Sequence, residues 1–190
     1  MNTAGISERE LRKRVAARAQ DLGAALRPGD VMLSYGEVPT TPGYRLFHAS
    51  WGAGVSADAL SGLVHAGEEP DLLPGHAIET LMEVWRTAPT PAAGQVAQAL
   101  AFLLDPMARW EPLLTDDDVA AWGSGEGPVT APALETDDAS GCITRTSFWW
   151  RRGSEAQVVV VDVDASGHVT VGGGRSSDRS AIPEAEGERP

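Results

Sequence analysis

Between Thr144 and Arg152 the chain reads TRTSFWWRR, the densest run of side chains that could hold a ligand. An indole offers a flat face on which a nucleic-acid base stacks for roughly 1–3 kcal/mol, and neighbouring guanidinium groups reach phosphate. Side chains alternate along a strand, so Trp149 shares a face with Arg145 and Arg151 while Trp150 points the other way. A hairpin turning at Gly153-Ser154 weakens this reading. Its register sets Phe148 opposite Val159, Thr146 opposite Val161, Arg145 opposite Asp162 and Arg152 opposite Glu155. Two of the three arginines then face a carboxylate, and paired arginines leave little positive field for a phosphate backbone.

A second basic run lies in SERELRKRVAARAQD, with Arg9, Arg12, Lys13, Arg14 and Arg18. Arg12 and Lys13 are the residues there best placed to meet an acidic ligand. The spacing again supplies internal partners: Glu8 precedes Arg12 by four, Glu10 precedes Arg14 by four, and Asp21 follows Arg18 by three. A solvated, ion-paired helix face accounts for this pattern better than a phosphate surface does.

Metal and acid–base chemistry has weaker support. His65, Glu68, Glu69, Asp71, His76, Glu79 and Glu83 offer enough donors for a divalent cation. On a helix from His76, however, the polar His76, Glu79 and Glu83 fall opposite Ile78, Leu81 and Trp85 and face solvent. DVDASG, from Asp162 through Asp164 to Gly167, copies the first half of a calcium loop but has Gly173 where the bidentate glutamate belongs, so a polar turn fits better. His48 stands near Ser50 without a nucleophile signature. Neither a G-x-S-x-G elbow nor a phosphate loop is present, and no cofactor is implied. Cys142 is the only cysteine, which excludes an intrachain disulfide and suits a reducing, cytoplasmic compartment.

The elements that must position these residues follow from periodicity and turn chemistry. Ser7 and Glu10 form a capping-box pattern ahead of a helix that places Leu11, Val15, Leu22 and Leu26 on one face and stops at Pro28-Gly29. VMLSYGEV and YRLFHAS, joined by PTTPG, predict a β-hairpin. SADALSGLVHAG predicts a short helix interrupted by Gly62. Ile78, Leu81, Met82 and Trp85 recur at helical spacing, and TPAAGQVAQALAFLLD predicts a further helix capped by Thr90. Thr115 opens another, with Asp116, Asp117 and Asp118 in its first turn. Residues 123–141, GSGEGPVTAPALETDDASG, read as a mobile loop, and residues 143–171 as a three-stranded antiparallel meander. Residues 173–190 read as a disordered tail.

The 190 residues therefore predict one α+β domain over residues 1–172: an N-terminal helix, a β-hairpin, central helices and a meander that joins the hairpin in one sheet. The formal charge of −12 repels polyphosphates and favours basic partners, and no stretch is apolar enough to span a bilayer. The expected function is non-enzymatic: an acidic soluble protein that binds another macromolecule, a protein partner first, as an adaptor, inhibitor or chaperone. Unpaired sheet edges would receive that partner. Two alternatives stand behind it. One is nucleic-acid binding by Arg145, Trp149, Arg151 and the N-terminal helix; the other is a metal-dependent hydrolase around His48, His65 and His76.

Overall fold

A computed structural model describes residues 6–52, 58–122 and 129–175. Helix α1 (Glu8–Asp21) leads into strands β1 (Met32–Glu37), β2 (Tyr44–Trp51) and β3 (Asp58–His65). Helices α2 (Pro74–Thr87) and α3 (Ala93–Leu104) follow, then β4 (Glu111–Leu113), α4 (Asp116–Trp122), β5 (Ala133–Thr136), β6 (Ile143–Arg152), β7 (Glu155–Val163) and β8 (Val169–Arg175). The first three strands form one antiparallel sheet in chain order, and the second sheet runs β4-β6-β7-β8. Strand β5 also pairs with β6, opposite Ile143–Ser147, while β4 lies opposite Trp149–Arg151 at the other end. The fold is α+β.

Hairpin and meander thus lie in two sheets rather than the single sheet expected from the order of elements. The apolar distribution of α2 and α3 is the reason. Helix α3 buries Val96, Ala97, Ala99, Leu100, Ala101 and Leu103, too wide an arc for one neighbour, so it needs partners on two sides. Leu46 and Leu63 of the first sheet meet Ile78, Leu81 and Trp85 of α2, and Phe148, Val159 and Val161 of the second sheet close the same core from the other side. Helix α1 covers the outer face of the first sheet through Leu11, Val15 and Ala19 against Phe47, Ala49 and Val64. Val119 and Trp122 of α4 pack on Leu113, Trp149 and Ala156 on the outer face of the second.

Several local expectations hold in detail. Ser7 Oγ accepts from the Glu10 N–H at 3.2 Å, capping α1, while the Glu10 carboxylate meets Lys13 and Arg14 rather than closing the other half of the box. Thr115 and Asp118 cap α4 reciprocally: Thr115 Oγ1 accepts from the Asp118 N–H at 3.1 Å, and Asp118 Oδ2 accepts from the Thr115 N–H at 2.9 Å. The Thr115 side chain first, and then the Leu114 and Thr115 amides that donate to Asp118 Oδ2, hold the Asp118 carboxyl below the usual range. The β6–β7 register is the expected one in all four pairs.

Others are corrected. The short helix predicted at Ser56–Gly67 is strand β3 over its described part, because Phe47 of β2 lays its ring over Gly62 and cross-strand pairing outweighs a weak helical pattern. Helix α1 ends earlier than Pro28. Gly23, at φ 90°, closes it in a left-handed turn in which the Gly23 and Ala24 amides return to Gln20 and Ala19. Leu22 is consequently 65% exposed instead of lying on the buried face. The N-cap of α3 is Ala92 rather than Thr90, and Gln95 Oε1 accepts the Ala92 N–H at 3.0 Å. Within the predicted loop, Ala133–Thr136 form a strand because the β6 edge supplies backbone partners that compensate for few apolar side chains. Strand β8 likewise runs through Gly172–Gly174, where the tail was expected to begin. Residues 123–128 of the predicted loop and 176–190 of the predicted tail lie outside the described residues.

Candidate functional site

The proposed aromatic platform is closed by neighbours. Trp149 is 4% exposed beneath Val119 and Trp122, so its ring faces α4 rather than solvent. Arg145 lies 3.6 Å from Asp162, as the register predicts. Arg151 is held by Glu111 of β4 at 2.7 Å, with its guanidinium 5.8 Å over the Trp122 ring. This partner was not foreseen, because a three-residue strand forty positions away leaves no periodic signal. Trp150 points to the inner side, stacked on Trp110 at 5.6 Å and edge-on to Phe148. On α1, Arg12 pairs with Glu8, Lys13 with Glu10, and Arg14 with both Glu10 and Glu69.

The metal candidates are dispersed. His76 Nδ1 lies 2.6 Å from Asp71 Oδ1, and Thr80 donates to Asp71 Oδ2 at 2.8 Å, so this cluster fastens the start of α2. His65 stacks on Tyr44 at 4.0 Å. Glu79 meets His168, a contact missing from the sequence reading, at 3.0 Å. Asp164 accepts from Ser166 and His168 inside its own turn, while Asp162 stays with Arg145. Among the described residues no three His, Cys, Asp or Glu side chains converge as a metal would require.

His48 has a different role. Its Nε2–H donates to the Phe102 carbonyl, and Ser61, its cross-strand neighbour on β3, donates to the Leu103 carbonyl. The pair therefore satisfies two carbonyls at the end of α3 that the helix cannot satisfy itself. Burial pushes the His48 pKa below the usual histidine value, against smaller opposing effects from the Phe102 carbonyl and Asp105. Because the unfolded chain takes up this proton first, the His48 contribution is complete above about pH 6.5 and is lost as pH falls below it. His48→Gln should flatten that part of the melting temperature–pH curve. An unchanged slope would show that His48 does not titrate between the folded and unfolded states.

A cleft of about 410 Å³ lies between α2 and the β5–β6 and β7–β8 turns, floored by Met82, Ile143 and Val163. Its carboxylates are engaged within the protein: Glu79 with His168, Glu83 with Arg86, and Asp137 and Asp164 with their own turns. Cys142, half-buried at its edge, has Sγ 3.9 Å from the Ser140 carbonyl.

The sheet edges separate more sharply. Natural edges are blunted by shortness, proline, lysine, bulges or a covering segment. Strand β4 is three residues long with Pro112 at its centre, and β5 is four residues long with a register break at Glu135/Thr136. On the far side of β3, Leu63 and Asp71 exchange backbone hydrogen bonds at 3.0 and 2.9 Å. Strand β8 pairs continuously with β7 and is unpaired on its other side among the described residues. Strand β1 has none of these devices either. Its sequence MLSYGE carries no proline or lysine, its register with β2 is continuous from Met32 to Glu37, and among the described residues its other side is unpaired.

Beside β1 runs a groove of about 320 Å³ whose far wall is α3. Leu46, Ala99 and Phe102 line its apolar part, Gln95 and Gln98 its polar part, and Gly36 and Glu37 border it along the strand. Phe102 approaches β1 so closely that a Cβ on Gly36 would lie 3.1 Å from its ring. Pro39 closes one end, where its carbonyl accepts the Trp85 Nε1–H at 3.2 Å. Arg45, opposite Glu37 in the ladder, instead lies 4.4 Å over the Tyr35 ring. No protein-family model, curated protein or solved structure matches the chain. Chemistry and geometry alone therefore carry the functional reading.

Proposed function

We propose that this is a non-enzymatic, acidic binding protein whose partner is another protein, received as an added strand along β1. The observation that carries the reading is the unprotected β1 edge beside the α3 groove. An extended segment laid on β1 would gain main-chain hydrogen bonds, while alternate side chains entered the groove and supplied selectivity. The formal charge of −12 disfavours a second copy of the same chain and favours a partner of opposite sign. The single cysteine and the lack of any long apolar helix among the described residues are in keeping with a cytoplasmic setting.

Capture from a lysate of the native host tests this reading, with and without nuclease. The native protein should retain a protein partner under both conditions. Ser34→Lys places a charge on the exposed edge, a device that discourages strand pairing, and should cut retention by about tenfold or more with the melting temperature unchanged. Retention that depends on nucleic acid, or that survives Ser34→Lys in full, overturns the proposal.

A further inference from the structure

Resting on strand addition at β1, we infer that the occupant is an extended segment alternating apolar and basic side chains, with a lysine or arginine opposite Glu37. The alternation follows from the two faces of β1. Ser34 and Gly36 are the ladder partners of His48 and Leu46, on the face turned toward α3. Tyr35 and Glu37 fall on the opposite face, because successive side chains alternate. An added strand continues this pattern. Its residues opposite Ser34 and Gly36 point toward Leu46, Ala99 and Phe102, where apolar side chains displace water from the groove.

Its residue opposite Glu37 falls on the other face, within the distance at which cross-strand charges interact. That carboxylate is unengaged: Arg45, its partner from β2, is drawn onto Tyr35, and Glu37 forms no ion pair among the described residues. A cation at this position therefore gains an ion pair that Arg45, drawn onto Tyr35, does not form. An acidic residue there would meet repulsion from Glu37 and from the −12 charge of the whole chain. The apolar groove and the free carboxylate lie on opposite faces of one strand, which is why one extended segment can reach both.

The experiment uses the full chain and two labelled peptides, one alternating lysine and valine and one alternating glutamate and valine. Binding is followed by fluorescence anisotropy at physiological salt. The lysine–valine peptide should bind at least about tenfold more tightly than the glutamate–valine peptide. Gln98→Trp, which fills the groove at an exposed position without changing charge, should abolish that binding. Glu37→Lys should narrow or reverse the preference between the peptides.

Equal binding of both peptides, lost in Gln98→Trp, removes the basic occupant but leaves strand addition at β1 intact. Lysine–valine binding that persists in Gln98→Trp is general attraction to an acidic surface and overturns the inference. Absence of binding by either peptide overturns it too, while host capture with Ser34→Lys judges strand addition separately.

Discussion

Gly62→Ala should destabilise the protein by about 3 kcal/mol or more, the upper end of the usual cost of overpacking. Gly62 sits in the middle of β3, where the backbone carbonyl of Asp71 and the ring of Phe47 converge. A Cβ there would lie 2.0 Å from the Asp71 oxygen and 2.7 Å from the ring. Neither neighbour yields easily. The Asp71 carbonyl accepts the Leu63 N–H, and the Asp71 carboxylate holds His76 and Thr80 at the start of α2. Phe47 is fully buried under α1. A single methyl group therefore pushes on both layers that pack against the first sheet. Chemical denaturation measures the effect, and at this chain length each kcal/mol corresponds to roughly 2–4 °C in melting temperature. A native-like midpoint would mean that Asp71 does not cover the β3 edge, and β3 would then be a further open edge.

Phe148→Ala should cost about 3–5 kcal/mol, the range for emptying a large buried aromatic site. Phe148 is 1% exposed, opposite Val159 in the β6–β7 ladder and edge-on to Trp150 at 6.0 Å. It belongs to the core in which α2 and α3 hold the two sheets together, so its loss affects the contact between layers and not one hairpin alone. The same assay reads it. An unchanged melting temperature would show that the second sheet is held to the helices by other contacts. The two substitutions act in different layers, on Phe47 and Asp71 in one case and on the helix–sheet core in the other.

The candidate site was half legible. An unpaired edge as a receptor for a partner strand is a sequence expectation, since a hairpin with no following strand must leave one side open. Which edge is open depends on distant residues. Asp71 closes β3, β4 and β5 share the β6 edge, and β8 stays open like β1 but α3 walls a groove beside β1. The groove beside β1 exists because Phe102, on a helix more than sixty positions away, lies against Gly36. The aromatic platform was disfavoured in the sequence by the cross-strand partners of its arginines, but its burial was not legible there. Alternation correctly separates Trp149 from Trp150, but only the packing of α4 and β4 shows Trp149 covered and Arg151 engaged.

Where neighbours in sequence are neighbours in space, the amino-acid order alone determined the structure. The stripe of Ile78, Leu81, Met82 and Trp85, the caps at Ser7 and Thr115, the intrahelical pairs of α1 and the β6–β7 register each depend on a few adjacent residues. Tertiary contacts decided the rest: β3 as strand rather than helix, β5 within a polar segment, two sheets instead of one, and β1 as an open edge beside a groove. In each of these the local preference is weak, and a backbone hydrogen-bond partner or an apolar neighbour from a remote part of the chain outweighs it.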